Sequence, residues 1–393
     1  MHLSDSLNRL GTETAFSVLA RAKQLEAEGR NIIHLGIGAP DFDSPEHIKE
    51  ACAKALRDGH TAYCQAQGLP ELRDSCARYL SRTRGIEVKG DNVVITPGAK
   101  PFLGYAVMAT CNPGDEVVYP DPGFPIYESV IRYFGATPVP LPLSEDQGFA
   151  FEPSDLADRL SPATRLVILN SPANPTGGVI EPSKMAEVAQ VLEGSDTWIL
   201  SDEVYSEMVF DGEHASIASY GDLAERTILV DGFSKTFAMT GWRLGYAAVP
   251  EALVEPITRL IINTVSCTPP AMQLAGVAAL EGPWDEVRAM VAEFERRREI
   301  VVEGLNSLPG VHCIQPKGAF YAFPNVSGTG LSDREFAHLA LEQAGVAVIS
   351  GTAFGANGEG FLRVSYANTV ENIQAGVEAL RALLVDSTAV SSA

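Results

Sequence analysis

Between Pro45 and Gly282 short apolar runs alternate with longer amphipathic stretches, and this rhythm limits more than anything else how the chain can fold. The runs are Asn92-Val-Val-Ile-Thr96, Glu116-Val-Val-Tyr119, Arg165-Leu-Val-Ile-Leu169, Trp198-Ile-Leu200, Thr227-Ile-Leu-Val230 and Tyr246-Ala-Ala-Val249. Runs this short and this apolar predict strands covered on both faces. Strands separated by helical stretches are joined by crossovers, so the pattern predicts a mostly parallel sheet sandwiched by helices. Open sheets of this kind bind ligands at the carboxyl ends of their strands. The residues that follow each run are therefore where chemistry is expected.

Three of these strand ends carry reactive groups. Asn170-Ser-Pro-Ala-Asn-Pro-Thr-Gly177 supplies Asn174, Ser201-Asp-Glu-Val-Tyr205 supplies Asp202 and Tyr205, and the segment from Asp231 to Tyr246 supplies Lys235 and Arg243. An amine, a carboxylate, a phenol and a guanidinium at one sheet edge match what pyridoxal phosphate needs from a protein, because the coenzyme is the electron sink and the fold provides orientation. Lys235 would form a Schiff base with the coenzyme aldehyde, and its amine, once displaced by substrate, would carry a proton between Cα and C4′. Asp202 would keep the pyridine nitrogen protonated, Tyr205 would donate to the ring hydroxyl oxygen, and Arg243 would hold the phosphate with a rigid fork of donors. Each residue alone has a plainer reading. Lysines near glycines are usually solvated, Asp202 could cap a helical turn from Val204 to Met208, Asn174 could belong to a simple turn, and Phe124 and Tyr127 could be core packing. Arg363 could merely cover apolar surface with its stem. The company these groups keep is what favours catalysis.

From about Ala15 to Ala367 the chain resembles the class I and II aminotransferases, pyridoxal phosphate enzymes of fold type I. Besides the three segments above, the resemblance rests on Leu35-Gly-Ile-Gly-Ala-Pro-Asp-Phe42, Tyr63 with Gly68-Leu-Pro-Glu-Leu-Arg73, Thr96-Pro-Gly-Ala-Lys100, Pro113-Gly-Asp-Glu-Val117, Gly318-Ala-Phe-Tyr321 and Phe361-Leu-Arg-Val-Ser-Tyr-Ala367. It implies an α/β fold: a large domain with a mostly parallel seven-stranded sheet flanked by helices, plus a smaller α+β domain. It makes Lys235, Asp202 and Tyr205 the catalytic residues, with Asn174 also reaching the ring oxygen and Phe124 stacking on the pyridine face. Arg363 would grip the substrate α-carboxylate, assisted by Asn174 and the N–H of Gly38. The phosphate cup would comprise Ser234, Arg243 and the backbone of Ala99 and Lys100 at the start of a helix running to Thr110, where unpaired N–H groups favour an anion. Gly232 stands where many relatives carry a phosphate-binding serine. Tyr63 would reach the phosphate of the neighbouring subunit, which implies a homodimer with shared sites.

The implied activity moves an amino group from an L-amino acid to a 2-oxo acid, 2-oxoglutarate, by a ping-pong mechanism. The same fold also hosts carbon–sulfur β-lyases and cyclases, and a catalytically silent ligand-binding homologue is a third reading. Lys100 offers a cation to an acidic substrate side chain and Glu13 opposes it; the balance leans toward a broad or dicarboxylic donor.

With 393 residues, 46% of them apolar, the chain is long enough for two domains. The division is expected to place residues 45–284 in the large domain and residues 1–44 with 285–393 in the small one, a long helix from Trp284 to Leu308 leaving the former. A net charge of −21 repels nucleic acid and anionic lipid. The six cysteines form no C-x-x-C pair and the seven histidines show no ligand spacing, so no metal is expected and a reducing cytoplasm fits. The start, Met1-His-Leu-Ser-Asp-Ser, lacks a basic segment followed by an apolar core, and no apolar run reaches about 18 residues. Neither an export signal nor a membrane span is expected.

Overall fold

The alternating apolar runs become a seven-stranded sheet in the computed structural model, which describes residues 3–391, with side chains as far as Val385. Its strands are β1 (Val93–Thr96), β2 (Glu116–Asp121), β3 (Thr137–Pro142), β4 (Thr164–Asn170), β5 (Trp198–Asp202), β6 (Thr227–Gly232) and β7 (Gly245–Ala248). They lie in the order β1-β7-β6-β5-β4-β2-β3. Only β7 runs against its neighbours, pairing antiparallel with both β1 and β6. The run-by-run reading identifies every strand but β3. Thr-Pro-Val-Pro-Leu-Pro lacks three backbone donors, which a central strand could not tolerate, but β3 is an edge strand that pairs only with β2.

Alternation of side chains across the sheet builds two cores at once. Leu166, Ile168, Leu200, Ile228 and Val230 face the helix Pro101–Thr110 on one side, while Val167, Leu169 and Ile199 pack with Met185, Val188 and Leu192 of the helix Pro182–Leu192 on the other. Each such fully buried side chain stabilises the sheet by roughly 1.5–3 kcal/mol. The registers then align the strand ends: Asn170 sits beside Asp202, and Gly232 beside Gly245. The helical turn that Asp202 could have capped is a pair of tight turns, closed by Ser206 N–H to Glu203 O at 2.9 Å and Met208 N–H to Tyr205 O at 2.8 Å.

A second region joins the N-terminal helix Thr14–Ala27 to the helices Asp285–Asn306, Asp333–Glu342 and Val370–Ser391. Three short antiparallel strands, Ile349–Ser350, Leu362–Ser365 and Tyr321–Ala322, pack with these helices around an aromatic core of Phe294, Phe320, Tyr321, Phe336 and Tyr366. The stretch from Val346 to Ile349 is shared between two sheets: Val346–Ala347 pairs in parallel with Ile33–His34, and Ile349 pairs with Arg363. That pairing fixes the backbone from which Arg363 reaches the main sheet.

Candidate active site

A cleft of about 540 Å³ opens at the carboxyl ends of β4, β5 and β6. Gly38, Ala99, Lys100, Phe124, Asn174, Asp202, Tyr205, Ser234, Lys235, Arg243 and Arg363 all line it. Tyr63 does not; it is 89% exposed and stands outside the cleft of its own chain.

Lys235 sits in the short helical turn Phe233–Thr236 directly after β6, with its Nζ donating to the Gly38 carbonyl. The rings of Tyr205 and Phe320 lie 5.7 Å from that amine. Part of the side chain is open to the cleft, yet burial, reinforced by the cations of Arg363, Arg243 and Lys100, pushes the amine down to about 7. A neutral, nucleophilic amine is thus available near neutral pH.

Asp202 closes β5 and accepts a 2.6 Å hydrogen bond from the Tyr127 hydroxyl. Burial pushes its carboxyl up to about 6, and the Tyr127 bond pulls in the opposite direction. A cationic partner inside the cleft would favour the ionised form further. The Tyr205 and Tyr321 hydroxyls pair at 2.7 Å, and burial raises both phenols.

Arg363 is 4% exposed. Its Nη1 donates to Asn174 Oδ1 at 2.9 Å and its Nη2 to the Gly36 carbonyl at 2.6 Å, while Nε is buried without a partner. The guanidinium lies 4.6 Å from the Tyr321 ring centre and 4.7 Å from that of Phe354. Among the described residues no carboxylate forms an ion pair with it. A buried cation held only by neutral groups is costly, and an incoming anion would relieve that cost.

Arg243 sits in the left-handed region at φ +55 and donates to the carbonyls of Thr240 and Pro97 at 3.1 and 3.3 Å. It passes so close to Gly98 that a Cβ there would lie 2.2 Å from its Nη2, and Gly98 itself has φ +82. A Cβ on Gly245 would lie 2.3 Å from Ala99 N. These glycines let the Arg243 guanidinium and the Ala99 backbone approach the same corner, where the helix Pro101–Thr110 starts with Pro at its first position and Lys100 as its N-cap. The first turn of a helix leaves N–H groups unpaired, so this corner favours an anion.

The sequence reading missed some supports. Tyr127, expected in the core, is indeed buried but ends on the Asp202 carboxylate. Asn170 ties β4 to β5: its Nδ2 donates to the Asp202 carbonyl at 3.0 Å, and its Oδ1 accepts the Asn174 N–H at 2.9 Å. Tyr321, noted only as part of a motif, lies against Gly38, where a Cβ would sit 1.9 Å from its hydroxyl. Beneath the cleft, Arg84 at the end of the helix Pro70–Arg84 donates to Glu203 at 2.7 Å and to Asp231 at 2.9 Å, all three side chains being about 2% exposed or less. Burial alone would raise Glu203, but His214 and Arg84 hold it down to about 2. Nothing in the sequence near Arg84 marks this role, because its partners lie more than a hundred residues away.

The family model for aminotransferase class I and II matches residues 30–380. The chain belongs to that family. It is similar to the aspartate aminotransferase of Pyrococcus horikoshii, 41% identical over 356 residues and 90% of each chain. It is also similar to aromatic-amino-acid aminotransferase 2 of Thermococcus litoralis, 39% identical over 99% of this chain and 100% of that one. The crystal structure of the aspartate aminotransferase from Rhizobium meliloti superposes with a TM-score of 0.93 at 34% identity, covering 98% of this chain and 99% of that chain. This aminotransferase is therefore a pyridoxal phosphate-dependent transferase that catalyses transamination. The residues of the cleft fit that coenzyme: a depressed lysine, a buried carboxylate, and a glycine-lined anion corner with an arginine fork occupy one cleft.

Proposed function

We propose that Lys235 holds the coenzyme through its amine, and the observation that carries this reading is the depressed amine of Lys235 in the same cleft as the buried, carboxylate-free Arg363. When bound, the coenzyme supplies an electron sink for charge developing at the substrate Cα. Asp202 would hold the ring nitrogen, Tyr205 and Asn174 would serve the ring oxygen, and Phe124 would pack on the ring. Ser234, Arg243 and the backbone of Ala99 and Lys100 hold the phosphate. Arg363, with Asn174 and Gly38, binds the substrate carboxylate and so aims the Cα–H at Lys235. Lys235 would take and return that proton, a role suited to a group titrating near neutral pH. The test is borohydride reduction followed by peptide mapping; the reduced label on any lysine other than Lys235 would overturn the assignment.

The reading extends to the whole molecule. Residues 45–284 form the coenzyme-binding domain, and residues 1–44 with 285–393 form a smaller domain that carries Arg363 and closes over the substrate to exclude water. Two copies associate, so that the partner's Tyr63 completes the phosphate cup; the high exposure of Tyr63 supports this. Sedimentation gives the oligomeric state, and Tyr63→Phe should weaken coenzyme retention. The acceptor is 2-oxoglutarate, and the location is the cytoplasm, in keeping with free cysteines at 52, 64, 76, 111, 267 and 313. Among the described residues no helix is long and apolar enough to cross a membrane.

A further inference from the structure

One ion pair inside the cleft takes no part in the reaction just described. Lys100 Nζ donates to Glu13 Oε1, joining the start of the helix Pro101–Thr110 to the residue just before the helix Thr14–Ala27. The Glu13 side chain is 16% exposed and that of Lys100 42%. The Lys100 ammonium lies 5.9 Å from the Phe16 ring centre and 5.3 Å from that of Phe124, and Leu19 and Ile37 add apolar surface to the same cleft. The other cations that line the cleft, Lys235, Arg243 and Arg363, are committed to coenzyme, phosphate and α-carboxylate in the reading above. Lys100 is the cation left over for a carboxylate on a substrate side chain, and Glu13 already neutralises it.

We propose that Glu13 sets the side-chain preference of this enzyme. By pairing with Lys100 it removes the charge that an acidic side chain would seek and leaves an apolar wall of Phe16, Leu19 and Ile37, Phe124 being given to the coenzyme ring, so the preferred amino donors carry large uncharged side chains. The inference rests on the assignment of Lys235 and Arg363 above. It replaces the lean toward a broad or dicarboxylic donor, in which Glu13 opposed Lys100 without being known to pair with it. A dicarboxylic acceptor has to displace Glu13 from Lys100 and binds less tightly than it would to a free lysine.

The test compares L-phenylalanine with L-aspartate in single turnovers of the holoenzyme, followed by the visible absorbance of the bound coenzyme, and measures succinate binding by calorimetry. Wild type should favour phenylalanine. Glu13→Gln should raise kcat/KM for aspartate and tighten succinate about three- to fivefold, as expected for freeing a partly exposed cation, with phenylalanine changed less than about twofold. Lys100→Met, which leaves Glu13 facing the substrate, should weaken aspartate and succinate still further. An unchanged aspartate-to-phenylalanine ratio in Glu13→Gln, or a wild type that prefers aspartate, overturns the proposal. Absence of any spectral change with either donor in wild type would overturn the underlying reading as well, whereas normal turnover with an unshifted ratio overturns only the role of Glu13.

Discussion

Replacing Arg363 with leucine removes a guanidinium whose buried Nε has no partner and which pairs with no carboxylate among the described residues. A substrate carboxylate docked there would make charge-assisted hydrogen bonds shielded from water by Tyr321 and Phe354, which flank the guanidinium. Truncating one partner of a buried, hydrogen-bonded charge pair costs about 2–5 kcal/mol. At 1.4 kcal/mol per factor of ten, kcat/KM for an amino acid should fall about 30- to 4,000-fold. Arg363→Lys, which keeps the charge but loses the planar fork, should fall between leucine and wild type. The fold itself should hold. Asn174 Oδ1 and the Gly36 carbonyl lose a donor, at about 1–3 kcal/mol each, but an uncompensated buried cation disappears and offsets this. The unfolding midpoint should therefore move by only about 5 °C. The deciding assay compares phenylalanine with 2-phenylethylamine, which lacks the carboxylate. If Arg363→Leu slows both amines equally, the arginine is a structural group and its assignment to the carboxylate is wrong.

Four further outcomes follow from the same geometry. In coenzyme-free protein, reaction of Lys235 with an amine-directed reagent should rise through about pH 7; a midpoint near the ordinary 10.5 would contradict the burial and cation argument. Because this folded-state value lies below the unfolded one, the unfolded chain binds the extra proton between pH 7 and 10.5, so Lys235→Met should stabilise the coenzyme-free protein more at pH 6 than at pH 10, as thermal unfolding would report. Tyr127→Phe removes the hydrogen bond that lowers Asp202, so the acid limb of kcat should move to higher pH; an unmoved limb would show that Asp202 does not control it. Arg84→Met leaves Glu203 and Asp231 buried without their shared cation and should cost about 3–5 kcal/mol in denaturant unfolding. A loss below about 1 kcal/mol would mean that the His214 and serine partners of Glu203 suffice.

How far each level of description reaches is clearest at particular residues. The apolar runs determined β1, β2 and β4 to β7 and with them the sheet edge at which Asn174, Asp202 and Lys235 meet, because a strand period and its following loop are local properties of the chain. They could not reveal β3, whose prolines are acceptable only because it occupies an edge, a fact of topology. The types of group needed for the chemistry, an amine, a carboxylate, a phenol and two guanidinium forks, were likewise legible in order along the chain. Their states were not. The depressed amine of Lys235, the raised carboxyl of Asp202 and the uncompensated charge of Arg363 arise from burial and from neighbours distant in sequence, such as Tyr127 on Asp202 and Gly36 on Arg363. The same holds for Lys100 and Glu13, separated by 87 positions, whose opposite charges the sequence displays but whose pairing only the packing of one helix start against another could create.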